Sequence, residues 1–335
     1  METNEKGIWY LEINRRFCVA PMMNWTDRFC RYFLRLISQN ALLYTEMIST
    51  GAILYGNANR HLRMRIDEQP VALQLGGADP GELARASKIA SSYNYAEINF
   101  NCGCPSSRVQ NGHFGAALMK NASRTADCIS AMLDAVELPI TIKHRLGVDD
   151  LDSYDFLRDF IGAISMTGCK VFILHARKAW LTGISPKENR ELPPLNYERV
   201  YQVKKDFPHL SIILNGGIAN VEEATVHLRN IDGVMMGRAA YHNPYVLAKV
   251  DQLIFGSNKT IKTRKQIADE FAQFVEEELS NGVPLNSMIR HILGLFYGMR
   301  NGKRFRRHLS ENACKPNAQI GVLHEAVCKA TTDVY

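Results

Sequence analysis

Between Phe17 and Ile254 short apolar runs rich in β-branched residues alternate with helix-length segments, and the alternation supplies eight such runs. They are Phe17–Met22, Ala41–Ile48, Val71–Leu75, Ala96–Phe100, Ile140–Arg145, Val171–His175, Ile212–Asn215 and Gly233–Met236. Gly81–Tyr93, Ala122–Val136, Ser153–Met166, Tyr197–Asp206, Val221–Leu228 and Ala239–Asp251 carry helical periodicity between them. Eight units of this kind predict an α/β fold of the (β/α)8 TIM-barrel type rather than an open doubly wound sheet. No Gly-x-Gly-x-x-Gly follows the first run, which argues against a dinucleotide fold there.

After Asp251 the pattern changes. Phe255-Gly-Ser-Asn-Lys259 reads as a linker, and Ile267–Leu279 and Leu285–Tyr297 continue as purely helical text. The expected organisation is a catalytic barrel over 1–255 and a small C-terminal helical domain over 260–335.

With 335 residues, 46% of them hydrophobic and 22% charged, the chain has ample material for one large core and a smaller one. No run approaches the ~20 apolar residues of a membrane span, and the N-terminal segment has no apolar stretch, so the expected location is the cytoplasm, with no membrane association. Eight cysteines in such a chain read as reduced thiols. Cys102-x-Cys104 lacks a second pair at zinc spacing, so no metal is expected. The net charge of +6 is modest, but Arg290, His291, Arg300, Lys303, Arg304, Arg306, Arg307 and His308 crowd together with Phe296, Tyr297 and Phe305 among them. Such a cluster suits a phosphate backbone; a solvated helix face accounts for the charges equally well.

The run Glu97-Ile-Asn-Phe-Asn-Cys-Gly-Cys-Pro-Ser106 delivers a thiol to a strand tip and then turns sharply. Alternation puts Glu97, Asn99 and Asn101 on one face and Ile98 and Phe100 on the other. Strand five ends in Lys143-His-Arg145, with two cations on one face that call for an anion. Strand seven ends in Asn215-Gly-Gly217 and strand eight in Gly237-Arg238, the usual place of a barrel phosphate site. A phosphate on Gly216, Gly217 and Arg238, Lys143 near a pyrimidine ring, Gln74 at a ring edge and the turn Ala20-Pro21-Met22-Met23 beneath a flat cofactor together describe a site for flavin mononucleotide, FMN.

The motifs Ala20-Pro-Met-Met-Asn-Trp-Thr-Asp27, Gln74-Leu-Gly-Gly77, Asn99-Phe-Asn-Cys-Gly-Cys-Pro105, Arg108-Val-Gln-Asn-Gly112, Lys143-His-Arg145, His175-Ala-Arg177, Asn215-Gly-Gly217 and Gly237-Arg238 resemble those of the tRNA-dihydrouridine synthases. The likeness runs from about residue 17 to 312. Two more stretches, Arg177 to Arg190 and Arg290-His-Ile-Leu-Gly-Leu-Phe296, resemble the bacterial branch that acts on D-loop uridines 20 and 20a. The resemblance implies a flavoprotein oxidoreductase in which NADPH reduces FMN, hydride passes to C6 of a flipped-out uracil and Cys104 protonates C5. It also implies cofactor contacts from His175, Asn215 and Gly237. Asn101 and Arg145 would meet the base, and Arg177, Lys178, Arg190, Arg290, Arg304 and Arg307 the tRNA. A monomer is expected.

Two positions depart from that pattern. Cys102 stands where an aliphatic residue is expected, either packing inward or close enough to Cys104 to oxidise with it. Gly298-Met-Arg-Asn-Gly-Lys-Arg304 lacks a proline after its first glycine.

Plainer readings exist for single residues. A cysteine like Cys104 is ordinarily a buried thiol, and only its Asn-x-Gly-Cys-Pro setting says otherwise. His175 alone would read as a core histidine and His144 as a structural one on the outer face. Met22, Met23, Met235 and Met236 would be core filling, while Trp180 and Tyr55 would stack on bases or simply pack. Two rival functions remain: an FMN-dependent barrel reductase of a free pyrimidine or enone, and a non-catalytic RNA-binding barrel. The basic appendage argues against the first, and Cys104, Lys143 and the phosphate pair against the second.

Overall fold

A computed structural model describes residues 13–106, 112 and 114–332. Eight parallel strands close into a barrel in chain order: β1 (Phe17–Val19), β2 (Leu42–Ser49), β3 (Val71–Gly76), β4 (Glu97–Cys102), β5 (Ile140–Arg145), β6 (Val171–His175), β7 (Ser211–Asn215) and β8 (Gly233–Met236), with β8 pairing β1. All eight expected strands form. The first stops at Val19 rather than Met22, because Pro21 has no N–H to give a ladder and Met22 closes a turn with Thr26 (Thr26 N to Met22 O, 3.0 Å; Met22 N to Thr26 Oγ1, 3.0 Å).

Outward-facing side chains and the surrounding helices form one continuous apolar core, while the lower barrel interior is filled by Cys18, Leu42, Tyr44, Ala72, Ile173, Ile213 and Met235. Met235 therefore packs inside the barrel and Met236 outside it. His144 lies on the outer face as expected, edge-on to Phe160 and Phe172, with its Nδ1–H donating to the Arg145 carbonyl at 2.7 Å. Burial pushes it down to about 4, so it is neutral.

Some helices differ from the periodicity. Ala239–Asp251 is broken into Arg238–His242, a 3-10 stretch Pro244–Lys249 and Val250–Leu253, since Pro244 cannot donate back into the first turn. Leu285–Tyr297 is α-helical only over Leu285–Ile289. Beyond it, i to i+3 bonds tighten the chain, and Gly294 lies so close to the barrel that an added Cβ would sit 2.5 Å from His242 O. The helix Arg28–Ile37 had no clear signature because Arg31 and Arg35 sit on its buried side. Arg31 pairs there with Glu68 at 2.8 Å, and Arg35 is spent on the carbonyls of Glu68, Ser38 and Pro70.

The helix Arg264–Ser280 begins with a Thr263/Gln266 capping box and lays Phe271 and Phe274 against Phe33 and Tyr32 of that barrel helix. Arg28–Glu278, Arg65–Glu277 and Arg290–Asp27 ion pairs edge the contact. The C-terminal helices thus dock on the flank of the barrel that carries the β1 turn. Among the described residues no helix is long and apolar enough to cross a membrane.

Candidate active site

A cleft of about 530 Å³ opens at the C-terminal ends of the strands, a volume suited to a cofactor-sized ligand. Cys104, Pro21, Met22, Met23, Gln74, Lys143, His175, Asn215, Gly216, Gly217, Gly237 and Arg238 line it, together with Asn101, Arg145 and Arg190. Every residue expected from sequence to touch cofactor or base is therefore at one place. Arg177, Lys178, Arg290, Arg304 and Arg307 are not in its wall.

The thiol is held by its own loop. Asn101, at the end of β4, accepts the backbone N–H groups of Gly103 (3.2 Å) and Cys104 (3.1 Å) on Oδ1, and Cys104 Sγ lies 3.5 Å from Ser106 Oγ. Arg145 clasps the same loop, donating to Gly103 O (3.2 Å), Lys178 O (3.2 Å) and Asn189 O (2.9 Å). Its guanidinium is thus met by carbonyls and welds the β4 turn to the loop after β6. Cys102, the last residue of β4, packs into the outer apolar core; alternation alone would send Cys104 to the same face, and it is the end of the strand and the turn at Gly103 that bring Cys104 into the cleft instead. Among the eight cysteines, all of them described, none is paired. The Arg108–Gly112 motif lies outside the described residues except for Gly112.

Electrostatically the cleft is short of negative charge. Burial, and then Arg145, lower the Lys143 ammonium to about 7, and no hydrogen-bond partner for it is found among the described residues. Burial, Arg145 and Lys143 together drive His175 well below its usual value, leaving it neutral, and its Nδ1 is buried with no hydrogen-bond partner among the described residues. The glycine pair supplies backbone where side chains do not fit: Gly216 and Gly217 have φ of 112° and 78°, and a Cβ on Gly217 would sit 2.5 Å from Tyr197 Oη and 2.6 Å from Leu195. Asn215 is fixed by donating to Met235 O at 2.8 Å, and Arg238 pairs with Glu191 at 2.5 Å across the mouth.

The basic residues divide by position. Lys178 is turned to Asp152 (2.7 Å), Arg177 donates to Pro193 O, Arg290 holds Asp27 (2.5 Å) and Arg307 pairs with Glu311 (2.7 Å). Arg190 stands exposed at the cleft rim and Arg304 exposed on the helix Gly302–Asn312. Phe296 and Phe305, which flank that cluster, are buried against each other at 4.7 Å, leaving Tyr297 as the exposed aromatic of the three. Trp25 was not singled out from the sequence: it lines the cleft and stacks on Tyr241 at 4.4 Å, 7° from parallel, a contact between distant segments with no local signal.

Residues 18–332 match the family model described as dihydrouridine synthase (Dus). The chain is 57% identical over 313 residues to a Shigella flexneri protein named tRNA-dihydrouridine(20/20a) synthase, covering 93% of this chain and 92% of that one. Proteins of the same name from Vibrio vulnificus (strain CMCP6) and Escherichia coli (strain K12) are 55% and 56% identical, over 94% and 93% of this chain and 96% and 90% of theirs. Among solved structures, a 2-naphthoyl-CoA reductase complex aligns with TM-score 0.55 at 11% identity, over 72% of this chain and 51% of its own. An old yellow enzyme homologue from Zymomonas mobilis gives 0.52 at 11%, over 74% and 90%. At that identity the likeness is one of fold.

Proposed function

The chain belongs to the dihydrouridine synthase family, and from that membership we propose that it reduces the C5–C6 double bond of uridines 20 and 20a in the tRNA D-loop, with FMN in the cleft and NADPH as electron donor. The observation that carries the reading is Cys104, held at the mouth of a cleft whose wall also presents Lys143, His175 and the Gly216–Gly217 pair. A flavin suits this wall. His175 and the uncompensated Lys143 in the cleft wall offer polar contacts to a heterocycle, and the backbone of the glycine pair lines the same cleft where a phosphate would sit.

When bound, the flavin supplies the hydride that goes to C6 of the base. Lys143 would supply a positive charge to the bound ring system, and Pro21, Met22 and Met23 would give it an apolar surface. Gln74 retains one amide N–H for a ring edge, since its other hydrogen and its oxygen are spent on Asn99 and Asn101. Gly216, Gly217 and Gly237 would hold the phosphate of the cofactor, and Arg238, which lines the same cleft, would supply positive charge to it.

The uracil must leave its stack to reach Cys104. Asn101 holds it through the amide N–H that Gln74 does not take, and the Cys104 thiol delivers its proton to C5, so that hydride and proton together saturate the bond. Solvent reprotonates the sulfur. Arg190 at the rim, the loop from Arg177 and Lys178, and Arg304 and Arg307 on residues 260–335 meet the RNA backbone, which makes binding salt-dependent. The enzyme works as a cytoplasmic monomer.

The test is direct: unmodified tRNA is incubated with the protein and NADPH, and dihydrouridine is mapped by position. Dihydrouridine at 20 and 20a supports the proposal. Oxidation of NADPH by a free enone with none by tRNA would instead favour a small-molecule reductase.

A further inference from the structure

Glu97, Asn99 and Thr141 are fully buried polar groups inside the barrel, below the cleft, and none of them reaches it. They are joined to the site by hydrogen bonds that all point one way. Thr141 Oγ1–H donates to Glu97 Oε1 (3.1 Å) and accepts from Asn99 Nδ2 (2.9 Å). Asn99 Oδ1 accepts from Gln74 Nε2 (2.8 Å), and Gln74 Oε1 accepts from Asn101 Nδ2 (2.8 Å). Asn101 Oδ1 then takes the Gly103 and Cys104 backbone N–H groups. Strand register makes the chain possible, because Gln74, Asn99 and Thr141 are lateral neighbours in one layer.

We propose that Glu97 is a positioning residue for the Cys104 turn, setting through this chain which way the carboxamides of Asn99, Gln74 and Asn101 face. A carboxylate offers only acceptors, so the single Thr141 proton is committed to it and its lone pair to Asn99. Each amide upward then has one orientation left. The chain ends on two backbone N–H groups, which need an acceptor, so the polarity demanded from below is the one demanded from above. Glu97 is itself fixed by Tyr44 Oη–H (2.6 Å) and Arg15 Nε–H (2.6 Å), both donors. Glutamine at 97 would admit the reverse polarity, in which Asn101 turns its NH2 toward the N–H groups of Gly103 and Cys104 and the turn loses its anchor. The orientation rests on the hydrogen bonds alone; its consequence for turnover rests on the function proposed above.

The experiment compares Glu97→Gln, Thr141→Val and Thr141→Ser with wild type in the flavin-loaded protein. It reads amide hydrogen exchange in the peptide holding Gly103 and Cys104, and tRNA-dependent turnover. Losing a buried hydrogen bond predicts about tenfold faster exchange at those amides in Glu97→Gln and Thr141→Val, and turnover lowered by about tenfold with KM for tRNA little changed. Thr141→Ser, which keeps the hydroxyl, restores both. Wild-type exchange in Thr141→Val would overturn the proposal, as would acceleration spread equally over the outer helices. Should Glu97→Gln fail to fold, the valine and serine pair decides the matter. A wild type inert toward tRNA would remove the functional reading while the exchange data still judged the chain.

Discussion

Lys143 and Arg145 enter the cleft from successive inward positions of β5, yet only Arg145 is met by oxygen. Three carbonyls surround its guanidinium, whereas the Lys143 ammonium faces the cavity without a partner among the described residues and burial lowers it to about 7. One cation on this strand builds the loop, and the other is left for an anionic ligand.

That asymmetry gives flavin binding a pH dependence. An anionic ring system or phosphate raises the pKa of Lys143, so binding takes up a proton. Affinity is full below about 7 and falls as pH rises through the higher value of the complex. Titrating the flavin-stripped protein from pH 6 to 9 should show Kd rising by up to about tenfold per unit in the upper part of the range. Lys143→Met should flatten the profile, and an unchanged slope in that variant would assign the linkage to another group.

Cys104→Ala should keep flavin content and tRNA affinity but lower turnover by about a hundredfold or more, the scale of a missing proton donor. Stopped-flow rates separate the effects: reduction by NADPH is expected unaltered, and reoxidation by tRNA slow. A variant that reoxidises at the wild-type rate removes Cys104 from the acid role.

Gly217→Ala places a methyl 2.5 Å from Tyr197 Oη at a φ of 78°. The strain is on the order of 1–3 kcal/mol, and it falls on the backbone proposed to receive the phosphate. The purified variant should contain less flavin per chain than wild type. Equal flavin content would move the phosphate elsewhere.

Two arginines of the appendage, Arg304 and Arg290, should separate cleanly. Arg304, exposed, is proposed to meet phosphate, so Arg304→Glu should weaken tRNA binding and lower the slope of log Kd against log salt by about 1 or more. Arg290 instead holds Asp27, the N-cap of Arg28–Ile37, so Arg290→Ala should lower the melting temperature more than it weakens tRNA binding. Melting curves and filter binding across salt decide both.

The barrel was legible because eight short, largely apolar runs alternate with helix-length segments and strand neighbours follow in chain order; three of the eight strands begin and end at the expected residues, namely Ile140–Arg145, Val171–His175 and Gly233–Met236. The cleft was legible for a related reason: residues at strand tips are brought together by barrel closure alone. What escaped depended on contacts between distant segments. Arg31 and Arg35 hid a helix by being buried with Glu68 and carbonyls, and Arg145 looked like a free cation until the Lys178 and Asn189 carbonyls came into place. Glu97 was placed on the right face, but its reach to Cys104 runs through side chains of three strands.

The measurement that bears most directly on the central claim is anaerobic flavin absorbance in one cuvette, first on adding NADPH and then on adding unmodified tRNA. Bands that bleach with NADPH and return with tRNA are the expected result, and bands that bleach but ignore tRNA, or a protein with no bands at all, would contradict it.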